Sequence, residues 1–287
     1  MAESTVCLTF DFDAISAWLT SWSSGREHPS KVDISRGEFG ARVGAPRVLD
    51  MLKKYDINST WFIPGHTADT FPDICTRIHT EGHEIGYHGY AHEADPPPND
   101  ESRILDHAIS SVRRVTGRSP VGYRFPGLDL ADYTIENIIE RHFQYDSSLM
   151  GDDFHPYRVR KGDRYSLDEP YRFGTETSLV EIPFSWYLDD WPAFSFSWEP
   201  FRYAFTSVDT IYDYWKRHFD YMRKNVKCGI FTLCTHPQVI GRAHLITMLE
   251  ELIRHMRHTG NVRFCQMQQV AYEYNEQNPL GSATIGS

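Results

Sequence analysis

Along most of this chain, runs of apolar and β-branched residues alternate with stretches whose apolar positions recur every three to four residues. The strand-like runs are Val6–Phe12, Ser59–Pro64, His83–Tyr87, Gly122–Pro126, Gln144–Leu149, Leu179–Trp186, Gly229–Thr235 and Val262–Gln266. Between them, Ala45–Tyr55, Ala68–Thr80, Ser102–Val115, Ala131–Arg141, Asp209–Asn225 and His244–His258 carry helical spacing. Asn99 or Asp100, after the Pro96–Pro98 loop, is placed to cap the third of these helices. Pro183 puts its strand near a bend or an edge.

Strands that are mostly followed by helices predict an α/β protein with a parallel sheet, and this many βα units suit a closed barrel. A doubly wound open sheet has the same periodicity. Segments 14–44 and 150–178 are too long for simple connectors and read as functional loops. No internal repeat or low-complexity linker divides the chain, so residues 1–279 are expected to form one domain, with 280–287 as a mobile tail.

Composition narrows the classes. The 287 residues carry a net charge of −10, which repels phosphate backbones and argues against a nucleic-acid partner. No apolar run approaches the roughly 18 residues that span a bilayer. The five cysteines form no CxxC pair and read as free thiols in a reducing compartment. The first residues have neither a basic start nor a long apolar stretch, so a cytoplasmic location is expected.

Three clusters fall at the ends of expected strands, where α/β barrels build their sites. In Asp11-Phe12-Asp13 the two carboxylates, two apart on a strand, point to one face. They repel unless a cation or a shared proton relieves them; a solvated turn with two acids is the alternative. His88 and His92, four apart, would share one face of a helical turn and could share one metal, or be two surface histidines among the 14 present. His236 stands at the tip of a very apolar strand, followed by Pro237, placed for proton transfer or simply buried and hydrogen-bonded. Two histidines and a carboxylate with an open position make a catalytic zinc-type centre, and the second carboxylate and third histidine supply a base and an acid.

Five stretches resemble, in order, the motifs of the NodB-homology polysaccharide deacetylases (carbohydrate esterase family four). They are Thr9–Asp13 (TFDFD), His88–His92 (HGYAH), Arg124–Pro126 (RFP), Tyr145–Leu149 (YDSSL) and Thr235–Pro237 (THP). The match runs over nearly the whole chain. Asp33–Gly44 and Glu181–Asp190 are similar to a subgroup that holds peptidoglycan-deacetylase-like proteins, cyclic imide hydrolases and an allantoinase. The resemblance implies a distorted (β/α) barrel of seven to eight strands. It implies a metal-dependent hydrolase of non-peptide carbon–nitrogen bonds that removes N-acetyl groups. Asp13, His88 and His92 would hold the metal, Asp11 would be the base, His236 the acid, Arg124 would orient Asp11, and Asp146 would tune the acid or base. Phe12 separates two acids that are adjacent in typical members, which leaves open which of them ligates and which takes the proton. Zinc is the default metal, with cobalt, nickel or manganese as alternatives. The substrate would be an oligosaccharide or a small molecule. A cyclic imide or ureide ring-opening hydrolase and a non-catalytic binding protein are the rival readings. Trp18, Trp22, Trp186, Trp191 and Trp198 could roof a pocket or pack between loops. The subgroup also implies a homo-oligomer, dimer or tetramer.

Overall fold

The β-branched runs and amphipathic stretches fold into the strands and helices of a computed structural model that describes residues 3–20, 29–94, 96–198, 201–202 and 204–280. The strands are β1 (Ser4–Asp11), β2 (Thr60–Ile63), β3 (Glu84–Tyr87), β4 (Gly122–Tyr123), β5 (Tyr145–Asp146), β6 (Tyr157–Lys161), β7 (Thr175–Glu181), β8 (Ser197–Trp198), β9 (Phe201–Arg202), β10 (Ile230–Thr235) and β11 (Val262–Phe264). The helices are α1 (Lys31–Phe39), α2 (Ala45–Lys54), α3 (Gly65–Thr70), α4 (Pro72–Thr80), α5 (Pro98–Thr116), α6 (Asp132–Glu140), α7 (Asp190–Phe194), α8 (Val208–Asn225), α9 (Pro237–Ile240), α10 (Ala243–His258) and α11 (Met267–Gln277).

The main sheet runs β10-β1-β2-β3-β4-β5-β7-β6, and only the β6–β7 pair is antiparallel. β11 pairs with Ser4–Val6 of β1 before β2 takes over at Thr9. The chain running on from β7 reaches the free side of β10, where Asp189 and Cys234 form an isolated parallel bridge. The eight-stranded path is a curled half-barrel, in agreement with the distorted (β/α) barrel of seven to eight strands expected from the sequence. β1 and β10 are buried at every position, as central parallel strands covered on both faces must be.

The helices cover the outside with one apolar stripe each. α10 buries Leu245, Met248, Leu249, Leu252, Ile253 and Met256, the three-and-four spacing of an amphipathic helix, and α8 adds Trp215, Phe219 and Met222 to the same core. Trp61 is fully buried against Phe10 and Phe12, with ring centroids 4.7 and 5.9 Å away. All five cysteines are free, and only Cys228 is exposed. No helix among the described residues is long and apolar enough to cross a membrane.

Several local expectations are corrected. Ala68–Thr80 is two helices, because Phe71 leaves helical geometry (φ −128°, ψ 56°) ahead of Pro72. α5 begins at Pro98, so Asn99 and Asp100 lie inside its first turn; proline supplies the fixed φ a helix start needs, and no side chain caps it. β7 ends two residues before Pro183, earlier than the run Leu179–Trp186 suggested. Segment 14–44 is largely helical: a 3-10 turn (Ser16–Trp18), then α1, then a π-helical turn (Gly40–Gly44) that runs into α2. Segment 150–178 holds β6 and most of β7. The expected tail falls almost wholly outside the described residues, which end at Leu280.

The π-helical turn packs backbone to backbone against α9. A Cβ on Gly44 would stand 2.0 Å from the Pro237 carbonyl oxygen, and one on Gly241 would stand 2.4 Å from the Gly44 Cα. Gly44→Ala is expected to destabilise the protein by about 1–3 kcal/mol, the usual range for overpacking, read as a lower urea midpoint. An unchanged midpoint would mean that this contact yields without strain.

Candidate active site

β1 delivers the two acids. Asp11 is its last residue and Asp13 follows two positions on, while Phe12 between them turns into the core against Trp61. The Asp13 carbonyl is pinned by the Ser16 N–H (2.9 Å), the Ser16 hydroxyl (2.7 Å) and the Thr67 hydroxyl (2.5 Å), so its carboxylate has a fixed origin.

The histidines arrive on a tight loop after β3, not on the helical turn expected. Gly89 (φ +73°) and His92 (φ +60°) both adopt left-handed backbone, and this brings the two rings to a centroid distance of 5.0 Å. The loop is braced from below by Glu93, whose carboxylate accepts from the N–H groups of Tyr90 and Ala91 (2.9 and 3.0 Å). The Thr20 hydroxyl donates to the carbonyls of Ala91 and His92 (2.7 and 2.9 Å). His88 Nδ1 lies 2.8 Å from the Arg124 carbonyl, so it carries the proton and leaves the Nε2 lone pair facing the acids.

His88 Nε2 is 3.5 Å from Asp13 Oδ1, and His92 Nε2 is 3.9 Å from the same oxygen. The three ligand atoms lie within 4.8 Å of one another. Asp13 Oδ1 is buried and has no hydrogen-bond partner, whereas Asp13 Oδ2 accepts from Gln238 Nε2 at 3.1 Å. A buried carboxylate oxygen left without a donor, facing two imidazole lone pairs, fits a divalent cation held by two nitrogens and one oxygen.

Asp11 is treated differently. Its Oδ1 receives Arg124 Nη1 at 2.6 Å, and its Oδ2 stands 3.7 Å from His88 Nε2. Opposite, His236 follows β10 with Nε2 3.8 Å from Asp13 Oδ2 and Nδ1 2.7 Å from Asp190 Oδ1. The His236 N–H is also held by Asp190, at 3.0 Å. Burial pushes Asp13 up to about 7. Burial works the same way on Asp11, but Arg124 and the nearby histidines outweigh it and hold that acid at about 2. Burial lowers His88, and lowers His92 to about 3, so both stay neutral and able to ligate. Burial also disfavours charge on His236, yet the Asp190 hydrogen bond and charge lift it to about 10.

These groups floor a cavity of about 520 Å³ walled by Phe125, Leu128, Phe184, Trp186, Trp191 and Pro192. Trp18 packs behind Trp191 at 5.9 Å. Trp22 and the side chain of Trp198 lie outside the described residues. Of the residues singled out from the sequence, Asp11, Asp13, His88, His92 and His236 line the cavity and Arg124 sits behind Asp11. Asp146 does not reach it; its carboxylate accepts from the Ser148 hydroxyl (2.7 Å) and N–H (3.1 Å). Sequence reading assigned no role to Asp190, Gln238, Glu93 or Thr20. Only Asp190 left a signal, as one of two adjacent acids ending the Glu181–Asp190 stretch.

A two-histidine, one-carboxylate set with a second carboxylate and a third histidine beside it, at the strand ends of a curled βα half-barrel, is the arrangement of a class of hydrolases. The family model for polysaccharide deacetylase matches residues 33–145. The chain is 37% identical to the peptidoglycan deacetylase of Helicobacter pylori, over 96% of this chain and 98% of the relative. It is 32% identical to a peptidoglycan deacetylase-like protein of Gibberella zeae, over 94% and 86%. Among solved structures, a putative polysaccharide deacetylase from Mycobacterium smegmatis superposes with a TM-score of 0.81 at 31% identity, covering 96% of this chain and 91% of that one. Puue allantoinase superposes with a TM-score of 0.79 at 21% identity, over 97% and 92%, a likeness of fold. The chain belongs to the polysaccharide deacetylase family, whose members are hydrolases acting on carbon–nitrogen bonds other than peptide bonds.

The raised Asp13 carboxyl sets a pH test. In the metal-free fold it keeps a proton that the unfolded chain has released, so its contribution to stability falls as pH rises from about 4 to about 7. Asp13→Asn removes that titration. Above about pH 7 the metal-free variant is expected to melt higher than the metal-free parent, and to gain nothing from added zinc. A parent-like gain with zinc would remove Asp13 from the ligand set.

Proposed function

We propose that the chain is a divalent-metal-dependent deacetylase that removes N-acetyl groups from an amino-sugar substrate, with zinc as the default metal. The observation that carries this is the convergence on one cavity of the Asp13–His88–His92 set, Asp11 held by Arg124, and His236 with Nδ1 2.7 Å from Asp190 Oδ1. Asp13, His88 and His92 would hold the metal, which would supply Lewis-acid polarisation of the amide carbonyl and a lowered pKa for water. Asp11 takes the proton at Oδ2 as water attacks the carbonyl carbon, and Arg124 on Oδ1 keeps this carboxylate ionised and aimed. His236 gives its Nε2 proton to the departing nitrogen, while Asp190 holds Nδ1 and keeps the ring protonated until that step. The Arg124 carbonyl fixes the His88 ring through Nδ1. Asp146 acts at one remove, through the strand end that seats Arg124.

The compact aromatic walls favour a second reading on the same chemistry, the ring-opening of a small cyclic imide or ureide. The exposed rim residues Trp186 and Tyr187, with Tyr214 beside Tyr187 at 6.4 Å, favour burial against another copy of the chain in a homo-oligomer.

Zinc-loaded protein incubated with N-acetylated chitin and muropeptide fragments, cyclic imides and allantoin, with products read by mass spectrometry, separates the readings. Loss of acetyl groups is expected; gain of one water on a ring compound would replace deacetylation with ring opening, and saturated zinc with no turnover would revive a binding role. Asp11→Asn is expected to lower kcat about a hundred- to ten-thousand-fold with zinc affinity retained, the usual contribution of a general base. Full activity in that variant would move the base elsewhere.

A further inference from the structure

Behind Arg124 lies a second pair of acids that the reaction itself does not touch. Asp146 of β5 and Glu181 of β7 are register partners on adjacent parallel strands, and neither has any exposed surface. Both converge on one backbone N–H: Ser148 N is 3.1 Å from Asp146 Oδ2 and 3.1 Å from Glu181 Oε1. Glu181 Oε1 also accepts from Leu149 N at 3.0 Å, and Asp146 Oδ1 from the Ser148 hydroxyl at 2.7 Å. Glu181 Oε2 is left buried with no donor. As two carboxylates, the pair would place two negative charges side by side in the buried interior with one acceptor oxygen lacking a protein donor, an arrangement of high energy. A single proton between them satisfies every oxygen and removes one charge.

We propose that Glu181 is a neutral carboxylic acid that donates its hydrogen bond to Asp146, and that this pair is a positioning device for Arg124 and, through it, for Asp11. The proton sits on Glu181 because both Asp146 oxygens already have donors, the Ser148 hydroxyl on Oδ1 and the Ser148 N–H on Oδ2, whereas Glu181 Oε2 has none to receive. Burial acts to raise both acids and does so furthest for Glu181.

The mechanical link is short. The pair clamps Ser148, whose hydroxyl oxygen accepts Phe125 N at 2.9 Å, next in chain to Arg124. Ser147, between Asp146 and Ser148, receives Arg124 Nε on its carbonyl and Arg124 Nη2 on its hydroxyl, both at 2.9 Å. Arg124 Nη1 then reaches Asp11 at 2.6 Å. The geometry thus makes Glu181 and Asp146 positioning residues for the proposed base, and this role rests on the hydrolase reading, while the proton between them does not.

Two measurements on the zinc-loaded full chain separate those statements. Infrared spectra at about pH 8 are expected to show the carbonyl stretch of a protonated carboxylic acid that shifts on 13C-glutamate labelling and disappears in Glu181→Gln. Absence of that band, or its loss in Asp146→Asn with survival in Glu181→Gln, overturns the proton assignment even in a protein that hydrolyses nothing. In turnover, Glu181→Leu is expected to lower kcat about tenfold or more with KM within about twofold. Glu181→Gln, which keeps a donor to Asp146 and an acceptor for Ser148, should recover most of that loss, and Asp146→Asn should not. Equal activity in Glu181→Leu and the parent, or rescue by Asp146→Asn in place of Glu181→Gln, overturns the positioning role.

Discussion

Arg124 carries a full positive charge with no surface exposed to solvent, and the candidate active site is arranged around that fact. Its guanidinium is fully buried, so its hydration must be replaced by protein groups. Asp11 supplies the counter-charge, and Thr9, Ser147 and Cys234 supply further acceptors. The rings of Phe62 and Phe184 lie 4.1 and 5.3 Å from its centre. These partners come from β1, β2, β10 and the segments after β5 and β7, so one side chain ties together strands far apart in sequence. Its backbone carbonyl meanwhile fixes the tautomer of His88. Asp11 and His88 are therefore oriented by the same residue.

The consequence is a division of labour between two acids separated by one residue. Asp11 has the guanidinium and is held at about 2, whereas Asp13 has only an amide on one oxygen and rises to about 7. The histidines divide likewise: His88 and His92 are kept neutral by burial, while Asp190 keeps His236 charged. Titratable groups with like chemistry pushed in opposite directions within one cavity are the mark of assigned acid and base roles. The site thus offers one carboxylate oxygen without a donor and two ring nitrogens on one side, and His236 on Asp190 on the other.

Much of this geometry was legible in the sequence because it follows from local rules. Alternation along β1 put Asp11 and Asp13 on one side, and apolar runs placed them, with His88 and His236, at strand ends. The helical turn expected for His88–His92 was wrong, since the spacing also fits a loop with left-handed residues at Gly89 and His92, held by Glu93 and Thr20 from outside the motif. Asp190 and Gln238 act through tertiary contacts that leave no period in the chain. The one-sided closure at the Asp189–Cys234 bridge was equally invisible, because β7 ends early and the residues that meet β10 are not themselves a strand. Segment 14–44 looked like a loop since its polar stretch hides α1, which buries only Gly37 and carries no apolar stripe, but has the Ser30 cap on Val32 N and the Asp33–Arg36 pair.

The account stands on which atoms hold the cation, and X-ray absorption at the zinc edge of the zinc-loaded protein reads them directly. It predicts a shell of nitrogen and oxygen alone, at about 2.0–2.2 Å, from His88, His92 and Asp13. Sulfur in the shell at about 2.3 Å would instead put zinc on the neighbouring Asp11–Cys234–His236 group, and would contradict the roles given to Asp11 as base and His236 as acid.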